Sequence, residues 1–219
     1  MGENTFIEPN FQIELSILFL GETTCGKSSL IRAFLGESFM FKLSPSAGVD
    51  TRHRIIKLAE DSLVVKMKFL DAGCRTTFET VVNSYYREAD CYVIVFDLQK
   101  RDTFEKVQNW LDSIVDKGGD MSRKLFVIIG NKMDLKSRVP LSEIEKFCDD
   151  SAQKPLMFLT SCKSGENVED AFHDIAEECI RRGLGRDANN VRKSTLDIRS
   201  EPDPNQKVTL NSSSGGCGC

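Results

Sequence analysis

Gly21-Glu22-Thr23-Thr24-Cys25-Gly26-Lys27-Ser28 stands between the apolar run Phe11-Gln12-Ile13-Glu14-Leu15-Ser16-Ile17-Leu18-Phe19-Leu20 and Ser29-Leu30-Ile31-Arg32-Ala33-Phe34-Leu35. The run before it reads as a buried strand, and the run after it as the first turns of a helix. A loop with a glycine at each end, closed by Gly-Lys-Ser and set between strand and helix, reads as a phosphate-binding loop. In such a loop successive backbone N–H groups point inward and the helix N-terminus adds partial positive charge. Lys27 is then placed to reach β- and γ-phosphates, and the Ser28 hydroxyl to ligate Mg²⁺. Gly21, Thr23, Thr24, Cys25, Gly26 and Ser29 complete this candidate site.

Outward from the loop, strand-like runs recur at roughly 12–20, 53–59, 63–70, 91–97, 125–130 and 156–160. Helical patterns lie near 27–36, 77–88, 103–117, 142–151 and 167–182. The alternation argues for an α/β domain with six strands, mostly parallel, and about five helices. Only Glu60-Asp61-Ser62 separates the second run from the third, so these form a hairpin and give one antiparallel edge strand. In open sheets of this kind ligands bind at the carboxyl ends of the strands, where residues 21–28 fall.

The chain has 219 residues, room for one domain and a tail. We divide it into an N-terminal extension (1–11), the nucleotide-binding domain (12–182) and a disordered tail (183–219) rich in Gly, Asn, Asp, Ser and Pro. A net charge of −4 offers no general attraction to nucleic acid. The eight cysteines show no C-x-x-C pairing, which argues against zinc. Their scatter, without a signal peptide, reads as reduced cytosolic thiols. No apolar run has the length of a membrane span, and Gly2 lacks the Ser or Thr of a myristoylation site.

The base is read from Asn131-Lys132-Met133-Asp134, directly after the apolar strand Lys124–Gly130. Guanine offers adjacent donors at N1 and N2, and the Asp134 carboxylate can accept both. Adenine lacks that donor pair and would leave a buried carboxylate unpaired, so GTP and GDP are favoured over ATP. That weighs against a P-loop kinase or ATPase. Asn131 would tie this loop to the phosphate loop, and the Lys132 stem would cover one face of the base. The backbone N–H groups of Ser161-Cys162-Lys163, after the last strand, are placed to donate to guanine O6.

Over residues 12–182 and the last three, the chain resembles the small GTPases of the Ras superfamily, within them the Rab family. The phosphate loop and Asn131-Lys132-Met133-Asp134 carry most of the likeness. Ala47-Gly48-Val49-Asp50 is similar to the Rab switch I signature, and Ser84-Tyr85-Tyr86-Arg87 to the end of switch II. Val107-Gln108-Asn109-Trp110-Leu111 and Gly165-Glu166-Asn167-Val168 are Rab-like too. The resemblance implies a membrane-anchored GTP/GDP switch in vesicle-mediated transport, at the cytoplasmic face of an internal membrane and cycling with the cytosol. It also implies an exchange factor, effectors and a prenyl-binding chaperone as partners. It places switch I around 37–50 and switch II around 71–86, with Ser46 and Asp71 joining Ser28 at Mg²⁺. Phe39 falls where the family sets an aromatic against guanine; a core phenylalanine is the alternative.

Switch II departs from the family. Where members read Asp-Thr-Ala-Gly-Gln, this chain reads Asp71-Ala72-Gly73-Cys74-Arg75. Without gaps, Cys74 replaces the glycine that meets the γ-phosphate, although a one-residue slip would let Gly73 take that role. Arg75 replaces the glutamine that orients the attacking water. An arginine has five donors and no acceptor, so it cannot do that work. Slow GTP hydrolysis follows, with no residue assigned as catalytic. The alternative is a nucleotide-binding pseudo-GTPase, a scaffold without useful turnover. Thr51, Leu70 and Tyr85 stand where Rabs present an exposed aromatic triad, which removes anchors used by ordinary Rab effectors. Trp110 is read as packed. The terminal Cys217-Gly218-Cys219 is similar to the Cys-x-Cys ending on which Rabs carry two geranylgeranyl groups, enough for stable anchoring.

Overall fold

The computed structural model describes residues 10–41, 49–58, 62–72 and 79–189. Its strands are β1 (Ile13–Leu20), β2 (Val49–Lys57), β3 (Val64–Ala72), β4 (Cys91–Asp97), β5 (Leu125–Asn131), β6 (Leu156–Thr160) and β7 (Arg186–Asp187). They form one sheet in the order β2-β3-β1-β4-β5-β6, with β7 beside β1. β1, β3, β4, β5 and β6 run parallel, and β2 lies antiparallel to β3 at the edge, as the short hairpin predicts. The helices are α1 (Lys27–Phe34), α2 (Glu79–Glu88), α3 (Arg101–Glu105), α4 (Val107–Lys117), α5 (Leu141–Asp150) and α6 (Val168–Arg181).

The central strands are apolar on both faces because helices cover both. Every residue of β4 (CYVIVFD) and of β5 (LFVIIGN) is buried. On one face α1 and α6 pack around Phe19, Phe34, Phe69 and Phe172. There the Phe34 and Phe172 rings stack with centroids 4.2 Å apart. On the other face Tyr92, Phe96, Leu111, Ile128 and Ile144 pack with Phe104. Trp110 is packed against this second cluster, as expected.

The structure differs from the sequence reading in four places. Strand β2 starts at Val49, not 53, because antiparallel pairing with β3 continues up to Ala72. The helix expected over 103–117 is two helices, broken at Lys106. Phe11, assigned to the extension, is buried, and Lys66 Nζ sits 5.1 Å above its ring. Residues 183–189, assigned to the tail, fold back onto β1. β4 joins β1 only from Ile17 onward, which leaves the edge at Ile13 and Glu14 open. β7 closes that edge, and Ala188 N–H donates to Gln12 O at 2.9 Å. Leu184 and Ala188 are buried, and Gly185 (φ +98) passes so close to Ile13 and Leu15 that a Cβ would not fit.

Candidate functional site

All the parallel strands end at one pole, and the loops that leave them there carry the candidate residues. Gly21 (φ +126) follows β1, and a Cβ on it would strike Val95 O of β4. Gly26 (φ +100) would strike the Asn131 side chain. Both glycines are thus required by close approach as well as by conformation. Thr24, between them, is a β-branched residue at φ +69, a conformation such residues rarely adopt. Thr23 and Thr24 are exposed. Cys25 is buried, its thiol in the core and pushed up in pKa by that burial, so its part in the loop is played by its backbone.

Lys27 is buried and its Nζ donates to Gly21 O at 2.8 Å and to Glu22 O at 3.0 Å, which curls the ammonium over the loop. Ser28 Oγ donates to Asp71 Oδ2. Asp71 ends β3 and is buried, and its Oδ1 has no hydrogen-bond partner among the described residues. Burial holds the Asp71 carboxyl above the usual carboxylate range, against the Ser28 hydrogen bond and the nearby Lys27 charge. A buried carboxylate oxygen left unpaired costs about 1–3 kcal/mol. A hard cation that takes oxygen ligands, with Ser28 Oγ beside it, would satisfy it, so this pair fits Mg²⁺. Ser46, Gly73, Cys74 and Arg75, also expected here, lie outside the described residues.

Asn131 is fully buried and joins three segments. Its Nδ2 donates to Cys25 O at 2.9 Å, while its Oδ1 accepts from Cys162 N–H at 3.2 Å. This is the tie to the phosphate loop that the sequence predicts. Ser161 Oγ donates to Asp134 Oδ1 at 2.7 Å, and Lys163 Nζ lies 3.9 Å from the other oxygen. The expected row of three donors at 161–163 narrows. Ser161 N–H is spent on Glu166 O and Cys162 N–H leans on Asn131; that of Lys163 alone has no partner among the described residues. Phe39 is no core residue: it is 36% exposed, edge-on to Phe41, and lines one small pocket with Cys162 and Ser29.

Sequence reasoning missed Asp97. This carboxylate ends β4, is 1% exposed, and pairs in register with Asn131. Its Oδ2 accepts from Lys132 Nζ at 2.7 Å and its Oδ1 from Gln99 N–H at 2.9 Å. Lys132 (φ +70) is thereby held in place. The available signal was a single acid closing an otherwise apolar strand. Of the three triad positions, Leu70 is buried in the second cluster, Tyr85 is half-buried against it, and Thr51 alone is exposed.

A phosphate cradle, a buried carboxylate suited to a cation and a rigidly coupled second loop bearing a fixed carboxylate define a nucleotide-binding switch domain. A family model described as the Ras family matches residues 16–181, and the chain belongs to that family. Curated relatives narrow the class. The chain is 32% identical to "GTP-binding protein YPTM2" of Zea mays, over 94% of this chain and 100% of the relative. It is also 32% identical to "Ras-related protein rab-39" of Caenorhabditis elegans (96% and 95%) and 28% identical to "GTP-binding protein YPT53" of Saccharomyces cerevisiae (100% and 100%). It is thus a Rab-type small GTPase, a kinship that fits vesicle traffic in general.

Proposed function

We propose that the protein is a Mg²⁺-dependent GTP/GDP switch with weakened hydrolysis, anchored to the cytoplasmic face of an internal membrane by two geranylgeranyl groups on Cys217 and Cys219. The observation that carries the switch reading is the Asn131 bond to Cys25 O, which sets the Asp134 loop at a fixed distance from the phosphate cradle. Asp134, steadied by Ser161, accepts from guanine N1 and N2, and Lys132, steadied by Asp97, lies along the base. Gly21, Thr23, Thr24, Cys25, Gly26, Lys27, Ser28 and Ser29 surround the phosphates; Phe39, Cys162 and Lys163 border the base. Ser28, Ser46 and Asp71 would hold Mg²⁺, which would offset charge on the β- and γ-phosphates. The orphaned Asp71 Oδ1 supports this assignment.

Hydrolysis is slow because Arg75 offers no acceptor to a water, and Cys74 stands where the family has the glycine that meets the γ-phosphate. The tail past Ala188, the missing aromatic anchors at Thr51 and Leu70, and the Cys-x-Cys ending support a membrane-tethered switch with its own effectors, exchange factor and prenyl-binding chaperone. Among the described residues no helix is long and apolar enough to cross a membrane. A second reading, nucleotide binding without useful turnover, is favoured by Cys74 and Arg75.

Single-turnover GTP hydrolysis by the wild type and Arg75→Gln tests both readings, after competition by GDP and by ATP has identified the base. Slow wild type with a faster variant supports the weakened switch. Equal, ordinary rates refute it, and two inert proteins favour the scaffold. Displacement of bound guanine nucleotide by ATP at matched concentration overturns the guanine assignment.

A further inference from the structure

Two ammonium groups reach the phosphate loop from outside it, and the binding motif accounts for neither. Lys106 Nζ lies 2.8 Å from Glu22 Oε2, and Lys100 Nζ lies 3.4 Å from Thr24 Oγ1. The two lysines flank α3: Lys100 precedes its first residue, and Lys106 is the residue at which it gives way to α4.

The turn that carries them is fixed. Lys100 N–H donates to Asp97 O at 2.9 Å, and Thr103 N–H and Oγ1 donate to Lys100 O at 3.0 and 2.6 Å. Asp97 and Thr103 are buried. The Lys100 side chain, by contrast, is exposed and among the described residues touches only a neutral hydroxyl at a long distance. A phosphate oxygen is a far stronger acceptor for an ammonium than a threonine hydroxyl. Glu22 presents the opposite problem. It puts a carboxylate into a loop whose ligand is a polyanion, its backbone carbonyl held by Lys27 Nζ and its carboxylate by Lys106. Like charges at this range repel unless a counter-charge intervenes.

We propose that Lys100 and Lys106 form a cationic rim to the phosphate site. Lys106 neutralises Glu22, and Lys100 leaves the Thr24 hydroxyl for the phosphate oxygens of the bound nucleotide. The rim rests on the guanine-nucleotide reading above, and it adds to it one phosphate-tail residue, Lys100 from the turn after β4, and its counterpart Lys106 from the junction of α3 and α4.

The test uses the full chain and fluorescent GDP and GTP analogues, with dissociation rates read at low and high salt. Lys100→Gln releases both about three- to tenfold faster at low salt. The difference shrinks at high salt, because exposed charges are screened. Lys100→Arg keeps the slow rate, and the melting temperature of nucleotide-free Lys100→Gln matches wild type, which separates a phosphate contact from a structural role. Lys106→Gln also speeds release, and Glu22→Gln with Lys106→Gln brings the rate back, because the lysine is needed only against the carboxylate. Wild-type rates for Lys100→Gln, or an acceleration indifferent to salt, overturn the phosphate contact. A double variant as fast as Lys106→Gln overturns the shielding. If no variant, wild type included, binds either analogue, the nucleotide reading itself fails and the rim with it.

Discussion

Replacing Asn131 by alanine tests the coupling on which the whole site depends. The side chain is fully buried and makes two hydrogen bonds of ordinary length, 2.9 Å to Cys25 O and 3.2 Å from Cys162 N–H. The Nδ2 contact with Cys162 Sγ at 3.5 Å is weak because sulfur is a weak acceptor, and the Thr160 Oγ1 contact at 3.5 Å is too long to weigh much. Alanine leaves a carbonyl and an N–H buried without partners, at about 1–3 kcal/mol each. Some relaxation of both loops brings the expected loss to about 2–4 kcal/mol. For a domain of this size that lowers the melting temperature by about 5–12 °C. Urea unfolding at saturating GDP and Mg²⁺ measures the loss, and GDP release measured in parallel should speed up because the two loops no longer share a register. Thr160→Val, which removes only a long contact, should cost less than about 1 kcal/mol. If Asn131→Ala lost under about 0.5 kcal/mol and released GDP at the wild-type rate, the argument that Asn131 couples base and phosphate loops would be wrong.

Asp71→Asn should be at least as stable as wild type in nucleotide-free protein with EDTA, since burial disfavours the ionised carboxylate at neutral pH. With Mg²⁺ and GDP the order should reverse; thermal unfolding in both conditions decides, and a variant less stable in EDTA would count against an unpaired Asp71 oxygen. Glu178 is held down at about 2 by hydrogen bonds from Arg181 and Arg182, against an ordinary value of 4.5. Its contribution is present above 4.5 and is lost as pH falls toward 2, so urea midpoints of Glu178→Gln should fall less between pH 6 and pH 3 than those of wild type. Gly185→Val, with no room for a Cβ and φ at +98, should undock β7; hydrogen exchange at Ala188 N–H should lose its protection while that of β5 is kept.

The strands were legible because their burial is written in composition. Cys91–Asp97 and Leu156–Thr160 fall where their apolar runs fall, and the phosphate loop and Asn131 announce themselves by spacing. What escaped is what tertiary contact alone decides. β7 is two polar residues, and only the open edge of β1 makes a strand of them. Its match to the family's exposed triad puts Leu70 on the switch surface, yet β3 turns it into the core. Asp97 had no motif: its meaning comes from standing opposite Asn131 in the adjoining strand. The break at Lys106 could not be read either, since Phe104 and Val107 keep an apolar spacing compatible with one continuous helix.

The docking of β7 fixes the pole of the domain at which Ala188 and Asn189 lie. β7 pairs with Ile13 and Glu14 at the start of β1, whereas the phosphate loop leaves its far end. Only Leu15–Leu20 of the strand separate the two, about 20 Å. The chain is therefore hung like a lantern from one pole, with the lamp at the other. A pull on the chain beyond Ala188 would meet the fold at β7 and not at α6, at the pole opposite the phosphate loop.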